Sequence, residues 1–108
     1  TAAKSPMPPC AGWRSRVQSK NKRAPTARES RHIARVKSLP CSLCDEPGPS
    51  DAHEIKQGQW WTCVALCKSC HQGPILGLHG QRRMWAIKKM DELDALAVTV
   101  ERLQLEIV

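Results

Sequence analysis

The sequence predicts a small α+β domain in which two short strands and several helices gather about two cysteine pairs, with a basic arm in front. Three observations lead there. Cys41-Ser-Leu-Cys44 and Cys67-Lys-Ser-Cys70 are two Cys-x-x-Cys knuckles separated by 22 residues. The interval between them holds two segments of strand character around Gly58, while the flanks show the three- and four-residue apolar spacing of helices. Charge is divided unevenly: residues 1–40 carry ten Lys/Arg and one acid, a net of about +9, and residues 41–108 carry seven Lys/Arg and nine acids, a net of about −2.

A chain of 108 residues forms one domain at most, here read as an arm over residues 1–25 and a domain over residues 26–108. Apolar residues make up 41% of it, yet Phe and Tyr are absent, so its core is marginal and gains from a staple. No run of about 18 apolar residues is present, which excludes a transmembrane helix and a membrane partner. The opening Thr1-Ala-Ala-Lys-Ser-Pro-Met-Pro-Pro lacks the apolar stretch of a secretory signal. A reducing, cytoplasmic location is therefore expected, where paired cysteines favour metal over disulfide.

The elements follow in order. Pro6, Pro8, Pro9 and Pro25 break helices in the arm, and its cations repel one another, so the arm is expected to be loosely ordered. Thr26-Ala-Arg-Glu29 fits a capping box opening a helix to about Ser38, stopped by Pro40. Ile33, Val36 and Leu39 form its narrow apolar side. Asp45-Glu-Pro-Gly-Pro-Ser50 reads as a loop, residues 52–57 and 60–66 as strands, and Cys67 to His71 as the start of a short helix ended by Gly73-Pro74. Residues 81–90 and 91–105 read as helices with Asp91 as a cap, the second burying Leu93, Leu96, Ala97, Val100 and Leu103 on one face.

A two-residue gap lets two thiolates of one turn reach the same ion, and two such knuckles complete a tetrahedron. Cys41, Cys44, Cys67 and Cys70 are thus expected to hold a structural Zn²⁺, in preference to disulfides or an iron–sulfur cluster. Cys63 reads as a small core residue and Cys10 as a free thiol. The zinc would clamp the strands to the short helix and bring His53 near His71, with Glu54 and His79 close in sequence. Imidazoles with a carboxylate can hold a divalent cation, such as Mg²⁺ or Mn²⁺, that keeps positions open for a phosphodiester and a water. Arg14, Arg16, Lys20, Lys22, Arg23, Arg28, Arg31 and Arg35 are the expected phosphate contacts to DNA or RNA. Trp60, Trp61 and Trp85 either stack on bases or, in a core without Phe or Tyr, supply its bulk. Arg82, Arg83, Lys88 and Lys89 extend the phosphate surface or simply solvate a helix.

Cys41-x-x-Cys44, Ala52-His-Glu-Ile55 and Val64-Ala-Leu-Cys-Lys-Ser-Cys-His71 together resemble the HNH (ββα-metal) endonucleases that carry a zinc knuckle pair. Pro25-Thr-Ala-Arg-Glu29, Leu39-Pro-Cys41 and Leu66-Cys-Lys-Ser-Cys-His-Gln72 are similar to the phage recombination-enhancement (RecA-dependent) branch of that family. The resemblance spans roughly residues 24–72. It implies a ββα-metal fold, divalent-metal-dependent hydrolysis of DNA, a part in phage recombination inside a bacterial host, and a RecA-type filament as partner. It puts His53 in a metal slot and Glu54 in that of the general base; in the alternative register His53 is the base and Ala52 stands where a ligand belongs. His71 matches a helix metal ligand, and His79 would supply the second in place of Ile75. Thr62 or Cys63 stands where the family has its middle Asn. Two other classes compete: a non-catalytic zinc module binding nucleic acid, and a docking protein that uses residues 91–105 to engage a recombinase or replication protein.

Overall fold

The computed structural model describes residues 23–107. The expectations for residues 1–22, among them Cys10, Trp13, Arg14, Arg16, Lys20 and Lys22, lie outside the described residues. In order, the elements are helix α1 (Ala27–Lys37), strands β1 (Asp51–Glu54) and β2 (Cys63–Leu66), and helices α2 (Lys68–Gln72), α3 (Arg83–Lys88) and α4 (Glu92–Ile107). The α+β class stands.

Helix α1 begins as the capping box dictates. The Glu29 N–H donates to Thr26 Oγ1 at 3.2 Å, and the Thr26 N–H donates to Glu29 Oε1 at 2.8 Å. Val36 and Leu39 are buried and Ile33 partly so.

The strands are shorter than the sequence suggests. They pair antiparallel as Asp51↔Leu66, Ala52↔Ala65, His53↔Val64 and Glu54↔Cys63. Residues 55–62 form the connection, not strand. Gly58 adopts a φ of 87°, its N–H donates to Glu54 Oε1 at 2.9 Å, and Trp60–Thr62 close a single 3₁₀ turn. A positive φ is open to Gly at little cost, which ends the expected strand at Gln57 early and delays the next until Cys63.

Side chains alternate across the hairpin, so its two faces feed two cores. Val64 and Leu66 pack with Cys41, Leu43, Cys70, Leu78, Trp85 and Ala95. Cys63 and Ala65 pack with Val36, Leu39 and Leu103, and with the partly buried Ile33, Ala52 and Trp60. Cys63 is the small core residue expected. Trp85 fulfils its core role at 2% exposure, with its indole N–H donating to Cys70 O at 3.0 Å, whereas Trp61 is 54% exposed.

Helix α4 corrects the sequence reading. Asp91 caps it, exchanging 2.9 Å bonds with Asp94. The buried face, however, runs through Ala95, Thr99 and Leu103, while Leu93, Ala97 and Val100 are exposed. The helix lies along the free edge of β2, where backbone groups need partners. Thr99 Oγ1 accepts from the Ala65 N–H at 3.3 Å, shares a 2.7 Å bond with Ser42 Oγ and donates to Ala95 O at 3.0 Å. The Ser42 N–H takes Ala65 O at 2.8 Å. Arg102 donates to Cys41 O at 3.1 Å. Polar pairing with the edge and the first knuckle outweighs the apolar stripe in setting the rotation of the helix.

Candidate metal centres

The first centre is the cysteine group. Cys41 and Cys44 sit on a knuckle whose Leu43 and Cys44 N–H groups point at Cys41 Sγ, at 3.4 and 3.5 Å. Cys67 caps α2, receiving the Cys70 N–H at 3.5 Å. All four sulfurs lie within 4.8 Å of one another. Cys44 Sγ and Cys67 Sγ are 3.6 Å apart. A disulfide would need about 2.05 Å, whereas a tetrahedral zinc with bonds of about 2.3 Å spaces its sulfurs about 3.8 Å apart. The residues fit a structural zinc, as their spacing suggests. Burial pushes the Cys44 thiol up to about 11 and Cys70 up as well. Burial also works against ionisation of Cys41, but backbone N–H groups from Cys44, Cys67 and Leu43 outweigh it and hold that thiol below its ordinary value.

The second centre is imidazole. His53, His71 and His79 each offer a ring nitrogen within 4.8 Å of the others, and their ring centroids stand 4.9 to 5.5 Å apart. Each arrives from a different element. His53 points from β1 toward α2; by alternation Asp51 shares that face. His71 follows the last zinc cysteine on α2. His79 is delivered by a loop that folds back on α2, with Leu78 N–H to Cys70 O at 2.8 Å and His79 N–H to His71 O at 3.1 Å. That return requires Gly77, since a Cβ there would sit 2.5 Å from the Gly73 backbone. His79 thus joins the pair across the Gly73-Pro74 break.

Two carboxylates that sequence reasoning missed back the histidines. Asp51 Oδ2 lies 3.1 Å from His71 Nδ1, and Glu92 Oε2 lies 2.6 Å from His53 Nε2. A carboxylate on one ring nitrogen fixes the tautomer and presents the other nitrogen as a lone pair. Asp51 also accepts from Lys68 Nζ at 3.0 Å. Burial raises its pKa, but the Lys68 and His71 bonds outweigh that and leave it below the ordinary value. The i, i+2 relation of Asp51 to His53 was a readable signal, because both face one side of a strand. Glu92 stands 39 residues from its partner and gives no local sign.

Glu54 is not brought in with them. Alternation puts it on the α1 side of the hairpin, and its Oε1 serves the Gly58 turn. It borders the same cleft, which also has Ala52, Gln57 and Gln72 in its walls and a volume of about 360 Å³. Glu54 thus lines the cleft of the histidines while one of its carboxylate oxygens accepts from the Gly58 N–H.

The described phosphate-contact candidates divide. Arg23 grips both carboxylate oxygens of Glu29 at 2.9 Å and donates to Gly58 O at 3.1 Å, so it docks on the domain. Arg35 donates to Leu103 O at 3.0 Å. Arg28 and Arg31 are exposed. Among the described residues no helix is long and apolar enough to cross a membrane. Comparison with protein-family models, curated proteins and solved structures finds no match, so the geometry of the two centres carries the functional reading.

Proposed function

We propose that this protein is a divalent-metal-dependent DNA endonuclease of HNH type, with His53, His71 and His79 as the site of the catalytic ion. The observation that carries the reading is three imidazoles converging on one cleft, two of them backed by carboxylates, beside a separate cysteine group suited to zinc. A module that needs only a structural zinc has no use for the second centre. A divalent ion held there would polarise a phosphodiester and activate water near neutral pH. Three neutral imidazoles leave its double charge undiminished, and they suit Mn²⁺ or a later first-row ion better than oxygen-seeking Mg²⁺.

The chain's own residues supply the rest. Asp51 orients His71, and Glu92 orients His53. The cysteine centre fixes α2 against the hairpin, which sets the distance from His53 to His71. The net charge of +7 draws the DNA backbone without reading sequence. Glu54 stays with the turn and needs no part in proton transfer.

Nicking of supercoiled plasmid with added Mn²⁺ or Mg²⁺ tests this. The wild type nicks, His53→Ala and His71→Ala do not, and Glu54→Gln retains most of the activity. No nicking by the zinc-loaded wild type with either ion overturns the reading and leaves the non-catalytic zinc module. Equal nicking by wild type and His53→Ala removes the histidines from the chemistry.

A further inference from the structure

Helix α1 carries a surface that the metal centres do not use. Arg28, His32 and Arg35 stand at i, i+4 and i+7, and Arg31 borders them, so the four share one side of the helix. The only acid of α1, Glu29, is buried and held by Arg23 and the capping box. This basic stripe meets an indole. Trp61 lies against His32 with ring centroids 5.0 Å apart and planes tilted by 42°.

The three described tryptophans differ in how they are used. Trp85 is buried at 2% exposure. Trp60 packs against the Val36 and Leu39 cluster and donates its indole N–H to Arg23 O at 3.0 Å. Trp61 leaves 54% of its surface in water. Burial lowers the pKa of His32, opposed by a bond to the Trp61 backbone, and its Nε2 is buried with no hydrogen-bond partner. The imidazole packs against the indole of Trp61, which keeps 54% of its surface in solvent.

We propose that Trp61, packed on His32 at the basic side of α1 that carries Arg28 and Arg31, is a stacking platform for an unpaired base of single-stranded nucleic acid. Every base has a π-face, so an exposed indole accepts it without regard to sequence, and guanidinium groups beside it take the adjoining phosphates. An apolar partner would instead have to desolvate the arginines. The connection that carries Trp61, residues 55–62, also sends Gln57 into the wall of the histidine cleft. The platform rests on the nucleic-acid part of the proposed function and is independent of cleavage.

Binding of labelled oligodeoxythymidylate to the full zinc-loaded chain, without added Mn²⁺ or Mg²⁺, tests it beside an abasic strand and a duplex. Trp61→Ala weakens oligodeoxythymidylate binding about five- to a hundred-fold, the range of one lost base–aromatic stack. Trp61→Phe restores most of the loss. Abasic and duplex binding change little with Trp61→Ala, and the salt slope stays the same. Arg31→Ala lowers the single-strand slope by about 0.7, one phosphate. Wild-type affinity of Trp61→Ala for oligodeoxythymidylate, with a wild-type circular dichroism spectrum, overturns the platform. An equal loss on abasic and base-bearing strands also overturns it. A failure to nick plasmid would leave these binding outcomes untouched.

Discussion

Asp51, from strand β1, and Glu92, from the start of helix α4, each hold one histidine of the cluster. Each fixes one ring nitrogen, so replacing either frees an imidazole to rotate without deleting a ligand. Asp51→Asn and Glu92→Ala are expected to weaken Mn²⁺ or Co²⁺ binding by about 10- to 100-fold while leaving zinc content and fold unchanged. Metal titration followed by Co²⁺ absorbance checks this, because thiolate and imidazole sites give distinct spectra. Glu29 offers a pH test. The Arg23 guanidinium and the Thr26 N–H hold its carboxylate down to about 2 from an ordinary 4.5. A group with a depressed folded-state pKa stabilises above its unfolded value and loses that contribution as pH falls through its folded one. The stability difference between wild type and Glu29→Gln is thus constant above about pH 4.5 and shrinks toward pH 2, measured by denaturant unfolding at each pH. The capping box and the cysteine knuckles were legible because their partners lie three residues apart. Glu92 was not, because nothing near position 92 marks a distant histidine.

At the scale of elements, helix α4 shows where apolar periodicity misleads. Leu93, Ala97 and Val100 have the right spacing, yet the open edge of β2 leaves the Ala65 N–H in need of an acceptor, and on α4 Thr99 supplies it. Thr99→Val keeps the shape but leaves Ser42 Oγ and the Ala65 N–H without that partner. It is expected to destabilise the domain by about 1–3 kcal/mol, whereas Leu93→Ser changes stability by about 0.5 kcal/mol or less. Thermal or denaturant unfolding of the two variants separates them. The hairpin teaches a similar lesson. Strand character was readable in residues 52–57 and 60–66, but Gly58 and the Glu54 bond to it shorten both strands to four residues. That shortening leaves Glu54 at the end of β1, bonded to the turn, and puts Trp61 in the connection, where it is exposed.

For the whole molecule, the two cores meet across a sheet of only two strands. A sheet that small gains from a staple, and a cation held by Cys41, Cys44, Cys67 and Cys70 would join α2 to the first knuckle beside the hairpin. Cys41→Ser or Cys70→Ser is therefore expected to abolish cooperative unfolding and the histidine site together. His71→Ala and His79→Ala should remove only the second site. The most direct measurement is metal content per chain for wild type and His71→Ala, before and after mild chelation. The wild type should hold one tightly bound zinc and one exchangeable ion, and His71→Ala the zinc alone with its fold intact. A wild type that binds no second ion at excess Mn²⁺ or Co²⁺, or a His71→Ala variant that still binds it as tightly, would contradict the histidine centre.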